Sequence, residues 1–185
     1  LKFISKAGFN SVMVYPSFRM TGNIKTGNEV EDIRNCLDLF QKYQLKLLFA
    51  LNQQLPGYSG VTDFAGASGL LPVAEKAVSL FKDHPALLGW YVSDEVARPR
   101  IPDVVTLREL VNRTDPWHPA WTLTYRREDI PYYGTSGDVM GVDPYCIEPR
   151  TKTQKLDRII LDMEAAHTTG LPVWAVPQIF NWGIY

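Results

Sequence analysis

The feature that most constrains this chain is an alternation. Short apolar, β-rich runs recur along it, each followed by a polar or Gly/Pro-rich segment and then by a stretch with helical period. Such repetition builds parallel sheets from βα units. Strands are expected at Ser11 to Tyr15, Lys46 to Leu51, Leu87 to Ser93, Ala120 to Tyr125, Val139 to Val142 and Val173 to Val176. Most are continuously hydrophobic, as strands covered on both faces are. Helices are expected over Glu29 to Tyr43, with Ile33, Leu37 and Phe40 on one stripe, over Gly69 to Lys82 and Pro102 to Arg113, and over Thr153 to Thr168, with Ile159, Ile160, Met163 and Ala166 inward. Leu1 to Ala7, closed by Gly8, reads as the last turns of one more helix.

The connections are unequal. Ala7 to Asn10, Tyr43 to Lys46 and Thr169 to Pro172 are short links from helix to strand, whereas Pro16 to Asn28 and Asn52 to Ser68, which follow strands, are long and rich in Gly, Pro and aromatics. In α/β folds the long loops beyond strand C-termini carry function. A closed (β/α)8 barrel takes about 250 residues at roughly 30 per unit. The 185 residues therefore read as a single incomplete barrel domain over 1–185, from the end of the first helix through barrel strands two to seven, with the first and eighth strands outside this sequence. A doubly wound sheet is the rival, but neither G-x-G-x-x-G nor G-x-x-x-x-G-K-[ST] occurs.

Composition narrows the function. Hydrophobic residues at 45% and charged ones at 21% are ordinary for a globular domain, and 19 Lys+Arg against 20 Asp+Glu leave a net charge of -1 with no basic run. Nucleic acid is not expected as a partner. No apolar stretch reaches the roughly 18 residues of a membrane span. The two cysteines, Cys36 and Cys146, suggest neither a disulfide framework nor a zinc site, and the oligomeric state stays open. No export signal is visible ahead of Leu1, so the location stays open, a secreted or periplasmic one included. Aromatic residues make up 12% of the chain, a content that suits sugar rings as well as core packing.

The most informative stretch runs from His84 to Glu95, a hydrophobic strand ending in Ser93, Asp94 and Glu95. With a period of two, Gly89, Tyr91, Ser93 and Glu95 share one face, so Glu95 points where Ser93 points. Adjacent carboxylates at a strand's C-terminal end are acid/base candidates; the alternative is a carboxylate at the start of the next helix. This stretch resembles the large clan of (β/α)8 glycoside hydrolases with cellulase-like and β-galactosidase-like barrels. Within related barrels a helix ends in a His-Pro pair and the next strand runs from Gly-Trp-Tyr to Asp-Glu. In the clan the fourth strand ends in Asn-Glu, the Glu being the general acid/base and the Asn a holder of the sugar 2-hydroxyl. The resemblance implies an acid/base role for Glu95 and puts Asp94 where the Asn stands.

The clan's nucleophile is a second Glu, on the seventh strand, and the matching position here is Gln178, an amide that cannot form a glycosyl ester. Gln178 keeps the means to hold a hydroxyl or to cap its strand, and Phe180 and Trp182 beyond it offer a sugar platform. Asp143-Pro144-Tyr145 resembles the Asp-x-Tyr-Pro phrase of such barrels, which implies that Asp143 and Tyr145 lie at the mouth, Asp143 as a second catalytic carboxylate or a holder of sugar hydroxyls and Tyr145 orienting a carboxylate or holding substrate; the alternative for Asp143 is a turn residue before Pro144. Glu148 is a weaker candidate. Tyr15 and Asn52, at the ends of their strands, suit hydroxyl recognition, and Arg19 is a lesser contact.

The three histidines, His84, His118 and His167, fall before strands or at helix ends, so no metal and no cofactor are expected. A Gly-x-Ser-x-Gly elbow is absent. The expected function is hydrolysis of glycosidic bonds in an oligo- or polysaccharide, with Glu95 as a general acid whose pKa must be raised to hold its proton. The alternatives are a non-catalytic carbohydrate-binding barrel, suggested by Gln178, and a barrel acting on phosphorylated metabolites.

Overall fold

The computed structural model describes residues 1–20, 25–147 and 155–178. All six expected strands form, as β1 (Ser11–Val14), β2 (Lys46–Ala50), β5 (Leu87–Asp94), β6 (Ala120–Thr124), β7 (Val139–Val142) and β8 (Val173–Ala175). A two-residue hairpin, β3 (Asp63–Phe64) with β4 (Ala67–Ser68), sits inside the long segment after β2. The helices are α1 (Lys2–Lys6), α2 (Glu29–Lys42), α3 (Leu70–Phe81), α4 (Ile101–Thr114) and α5 (Asp157–His167). The six longer strands are parallel neighbours in the order β1-β2-β5-β6-β7-β8, each joined to the next through a helix or a turn of 3-10 helix, which is the topology of a (β/α)8 barrel over six strands. Internal contacts divide the chain into two compact units, Leu1–Val92 with Thr106–Ala120, and Ser93–Val105 with Trp121 onward.

In the first unit Ser11 to Val14 pair with Lys46 to Phe49, and Leu48 to Ala50 with Gly89 to Tyr91. Asn28 caps α2 by accepting from the N–H groups of Val30 and Glu31, and Glu29, Glu31 and Asp32 complement the positive end of that helix. Ile33, Leu37 and Phe40 are buried, as their spacing requires. Phe49 packs against Phe81 and Trp90 with ring centroids 5.7 and 5.5 Å away.

Before β6, the buried Asp115 accepts from the Trp90 indole N–H at 2.9 Å, faces His118 Nδ1 at 2.8 Å and accepts from the Trp117 N–H at 3.2 Å. Truncation of Asp115 to Ala leaves the fully buried indole N–H without its partner. It is expected to cost about 1–3 kcal/mol, read as a fall in the urea midpoint at unchanged slope. An unchanged midpoint contradicts this account.

In the second unit Trp121 to Thr124 pair with Val139 to Val142, and Met140 to Val142 with Val173 to Ala175. β6 and β7 are buried throughout. A Cβ on Gly141 would lie 2.6 Å from Leu123 and 2.9 Å from the Trp121 ring, so only glycine lets β7 pass these side chains. Ile101, Ile130, Tyr133, Met140, Val142 and Ala166 form the core of this unit. One expectation needs correction: on α5, Ile160 is 63% exposed, and the buried positions are Asp162 and Ala166. The ion pairs that Asp162 makes explain why a carboxylate takes an interior place.

Candidate active site

The carboxylates at the end of β5 reach their positions through a local backbone change. The strand stops at Asp94, and Glu95 adopts a left-handed conformation with φ 51°, its N–H still bonded to the Leu123 carbonyl at 3.0 Å. The alternation of faces therefore does not extend to Glu95, and its direction is set by this turn. Left-handed backbone at a non-glycine residue costs on the order of 1 kcal/mol or more and concentrates where function requires it.

Glu95 is half-buried and Asp143, just beyond β7, is buried at 9% exposure. Glu95 acts on the Asp143 carboxyl both as a side-chain hydrogen-bonding partner and as a charge. Tyr145 donates its hydroxyl to Glu95 Oε1 at 2.8 Å. Burial, the bond to Glu95 and the negative charges of Glu95 and Asp94 push the Asp143 carboxyl up to about 8. At neutral pH the Asp143 carboxyl therefore keeps its proton. Burial and the same carboxylates push the Tyr145 phenol well above its ordinary value, so it stays a donor. The Asp143 Oδ1 atom is buried without a hydrogen-bond partner, and so is the Ser93 hydroxyl.

The other expected residues take varied places. Tyr125 follows β6 and meets Tyr145 edge-on at 5.5 Å. Gln178 follows β8 and uses its amide oxygen to accept the Ile147 N–H at 3.0 Å. Asp94 is half-buried and acts on Asp143 and Tyr145 through its charge. In the first unit, Tyr15 follows β1, exposed and edge-on to Tyr91 at 5.7 Å. Asn52 follows β2, its Oδ1 buried without a partner beside a recess that Pro16, Phe18 and the exposed Arg19 also line. Glu148, Phe180 and Trp182 lie outside the described residues, as do the first two residues of the expected fourth helix. Among the described residues no three His, Cys, Asp or Glu side chains gather as a metal site requires.

Sequence reasoning did not single out Arg127, Arg158 and Asp162. Asp162 is fully buried and accepts from Arg127 Nε at 2.5 Å and Arg158 Nε at 3.3 Å. The remaining Arg158 nitrogens donate to the carbonyls of Tyr125 at 2.9 Å and Tyr145 at 3.3 Å. The spacing of Arg158 and Asp162, four apart on one helix, is the signal that could have found them.

No family model matches the sequence, and no curated protein does. Solved structures do match. A xylanase of glycoside hydrolase family 10 from Thermobacillus composti superposes with a TM-score of 0.62 at 15% identity, over 97% of this chain and 66% of its own. This is a (β/α)8-barrel chain. An endoglucanase from Pseudomonas stutzeri gives 0.62 at 11% identity over 93% of the barrel chain and 64% of its own. A mandelate racemase/muconate lactonizing protein from Herpetosiphon aurantiacus gives 0.54 at 11%, over 97% and 42%. The barrel chain thus spans 42 to 66% of these three structures. Likeness at such identity establishes the fold, and the racemase-like match makes plain that one fold hosts different reactions.

Proposed function

We propose that the barrel hydrolyses glycosidic bonds in an oligo- or polysaccharide, with Glu95 and Asp143 acting together as its general acid. The observation that carries this reading is the hydrogen-bonded carboxyl pair, one member half-buried and one buried, with the buried member raised to about 8. Such a pair holds one proton between two carboxyls at neutral pH. Glu95, the more accessible member, touches the substrate; it passes the proton to the leaving oxygen as the bond from that oxygen to the anomeric carbon breaks. Asp143 supplies the replacement proton from behind. The water that adds its hydroxyl to the anomeric carbon returns a proton to the pair, and the atoms balance.

Carboxyls that share a hydrogen bond are closer than the roughly 5 to 5.5 Å or 6.5 to 9.5 Å of opposed pairs in retaining and inverting glycosidases. Asp143 therefore serves on the same side as Glu95, not across the scissile bond from it. The family resemblance of solved neighbours, xylanase and endoglucanase among them, supports the substrate class. The non-catalytic carbohydrate-binding reading is favoured by one feature: Gln178 stands where a nucleophile would, and its amide oxygen is engaged by Ile147.

Incubation with soluble β-glucan, xylan and mannan, and with aryl glycosides, tests the two readings. Release of reducing ends or of the phenol, with a rate that falls as pH rises through about 8, is the expected result. Binding to these polymers without release would make the barrel a binder.

A further inference from the structure

A half-buried arginine on α5, Arg158, bonds the main chain of residues beside the carboxyl cluster. Its Nη atoms donate to the carbonyls of Tyr125 and Tyr145, which come just after β6 and β7, where the strand ladder has ended. Its Nε is held by Asp162, a carboxylate with no exposure that Arg127 also binds. Tyr145, whose main chain this guanidinium grips, places its hydroxyl on Glu95 at 2.8 Å. A planar fork of five donors on three nitrogens can span a carboxylate and two carbonyls in one fixed geometry, whereas an ammonium offers its three donors from a single nitrogen. A buried ion pair is weak evidence for stability, because desolvation offsets much of its attraction. Its value here lies in where it fixes the chain.

We propose that Arg158, anchored by Asp162, is a positioning residue for the Glu95, Asp143 and Tyr145 cluster, joining the segments after β6 and β7 so that the Tyr145 hydroxyl stays on Glu95. The kinetic consequence rests on the glycosidase reading; the geometric one does not. Two variants test it. Arg158→Met removes every donor at similar length, and Arg158→Lys keeps the charge with fewer bonds. In both, Asp162 retains Arg127, so no buried carboxylate loses its last cation.

The readout is the carboxyl titration of Asp143, followed by carbon NMR in each variant alongside kcat and KM. Asp143 faces Glu95, Asp94 and Tyr145. With Tyr145 released and water admitted, its midpoint should fall from about 8 by about one pH unit or more in Arg158→Met. kcat should fall about 10- to 100-fold with KM little changed, since misplacement acts on the reacting geometry. Arg158→Lys should recover part of both. A folded Arg158→Met protein with the wild-type Asp143 midpoint overturns the proposal, because a merely structural arginine would lower only the melting temperature. Should Arg158→Met not fold, Arg158→Lys decides by the same midpoint. If the wild-type protein hydrolyses nothing, the proposed function falls and the titration still decides the role of Arg158.

Discussion

Replacing Glu95 by glutamine is expected to lower turnover by about 10² to 10⁴ while the protein stays folded, the usual contribution of a general acid. The amide oxygen can still accept from the Tyr145 hydroxyl, which bonds Glu95 at 2.8 Å. An amide cannot pass a proton on, so the one that Asp143 holds no longer reaches the substrate. The loss should depend on the leaving group. Phenols that depart readily as anions need little protonation and should lose least; unactivated sugars should lose most. The check is a series of aryl glycosides of graded phenol acidity, measured with wild type and Glu95→Gln side by side. Equal loss across the series would remove Glu95 from the proton transfer. Failure to fold would instead assign it to the turn that closes β5.

What could be read in the sequence and what could not divide along physical lines. The six strands were legible because burial on both faces writes a continuous apolar run, as at Leu87 to Val92 and Val139 to Val142. The hairpin at Asp63–Phe64 and Ala67–Ser68 was not, since two residues per strand carry no period. Glu95 and Asp143 stood out as carboxylates at strand ends. That they would lie near each other was legible as well; the left-handed turn at Glu95, φ 51°, by which Glu95 gets there was not, because no alternation of faces anticipates it. Arg158 and Asp162 were invisible for another reason: charges on an amphipathic helix read as a solvated face, and Arg127, in the turn after β6, reads as a solvated loop charge. Tertiary structure inverted that pattern on α5, leaving Ile160 63% exposed and taking Asp162 inside.

Asparagine at position 143 should make the protein more stable and less active, and the two effects should separate by pH. The Asp143 carboxyl is raised to about 8 in the folded protein, against roughly 3.9 in an unfolded chain. Between those values the folded protein keeps a proton that the unfolded chain gives up. The unfolded state then binds fewer protons, so stability declines as pH rises through this window. The contribution of Asp143 is complete below about 4 and lost by the time pH has passed the folded value. Asparagine is neutral at every pH and can still donate to Glu95, so it should escape the decline. Wild type and Asp143→Asn should therefore melt at similar temperatures near pH 4 and diverge steadily toward pH 8, the variant ending higher by about 2 to 4 °C for each kcal/mol that the wild type has lost. Other groups titrate in both proteins, which is why the difference between the two curves, and not either curve alone, isolates this carboxyl. Turnover should move the other way, because the variant has lost the proton that replenishes Glu95. Melting curves that stay parallel from pH 4 to 8 would show that Asp143 is not held protonated, and with that the shared-proton mechanism would fall.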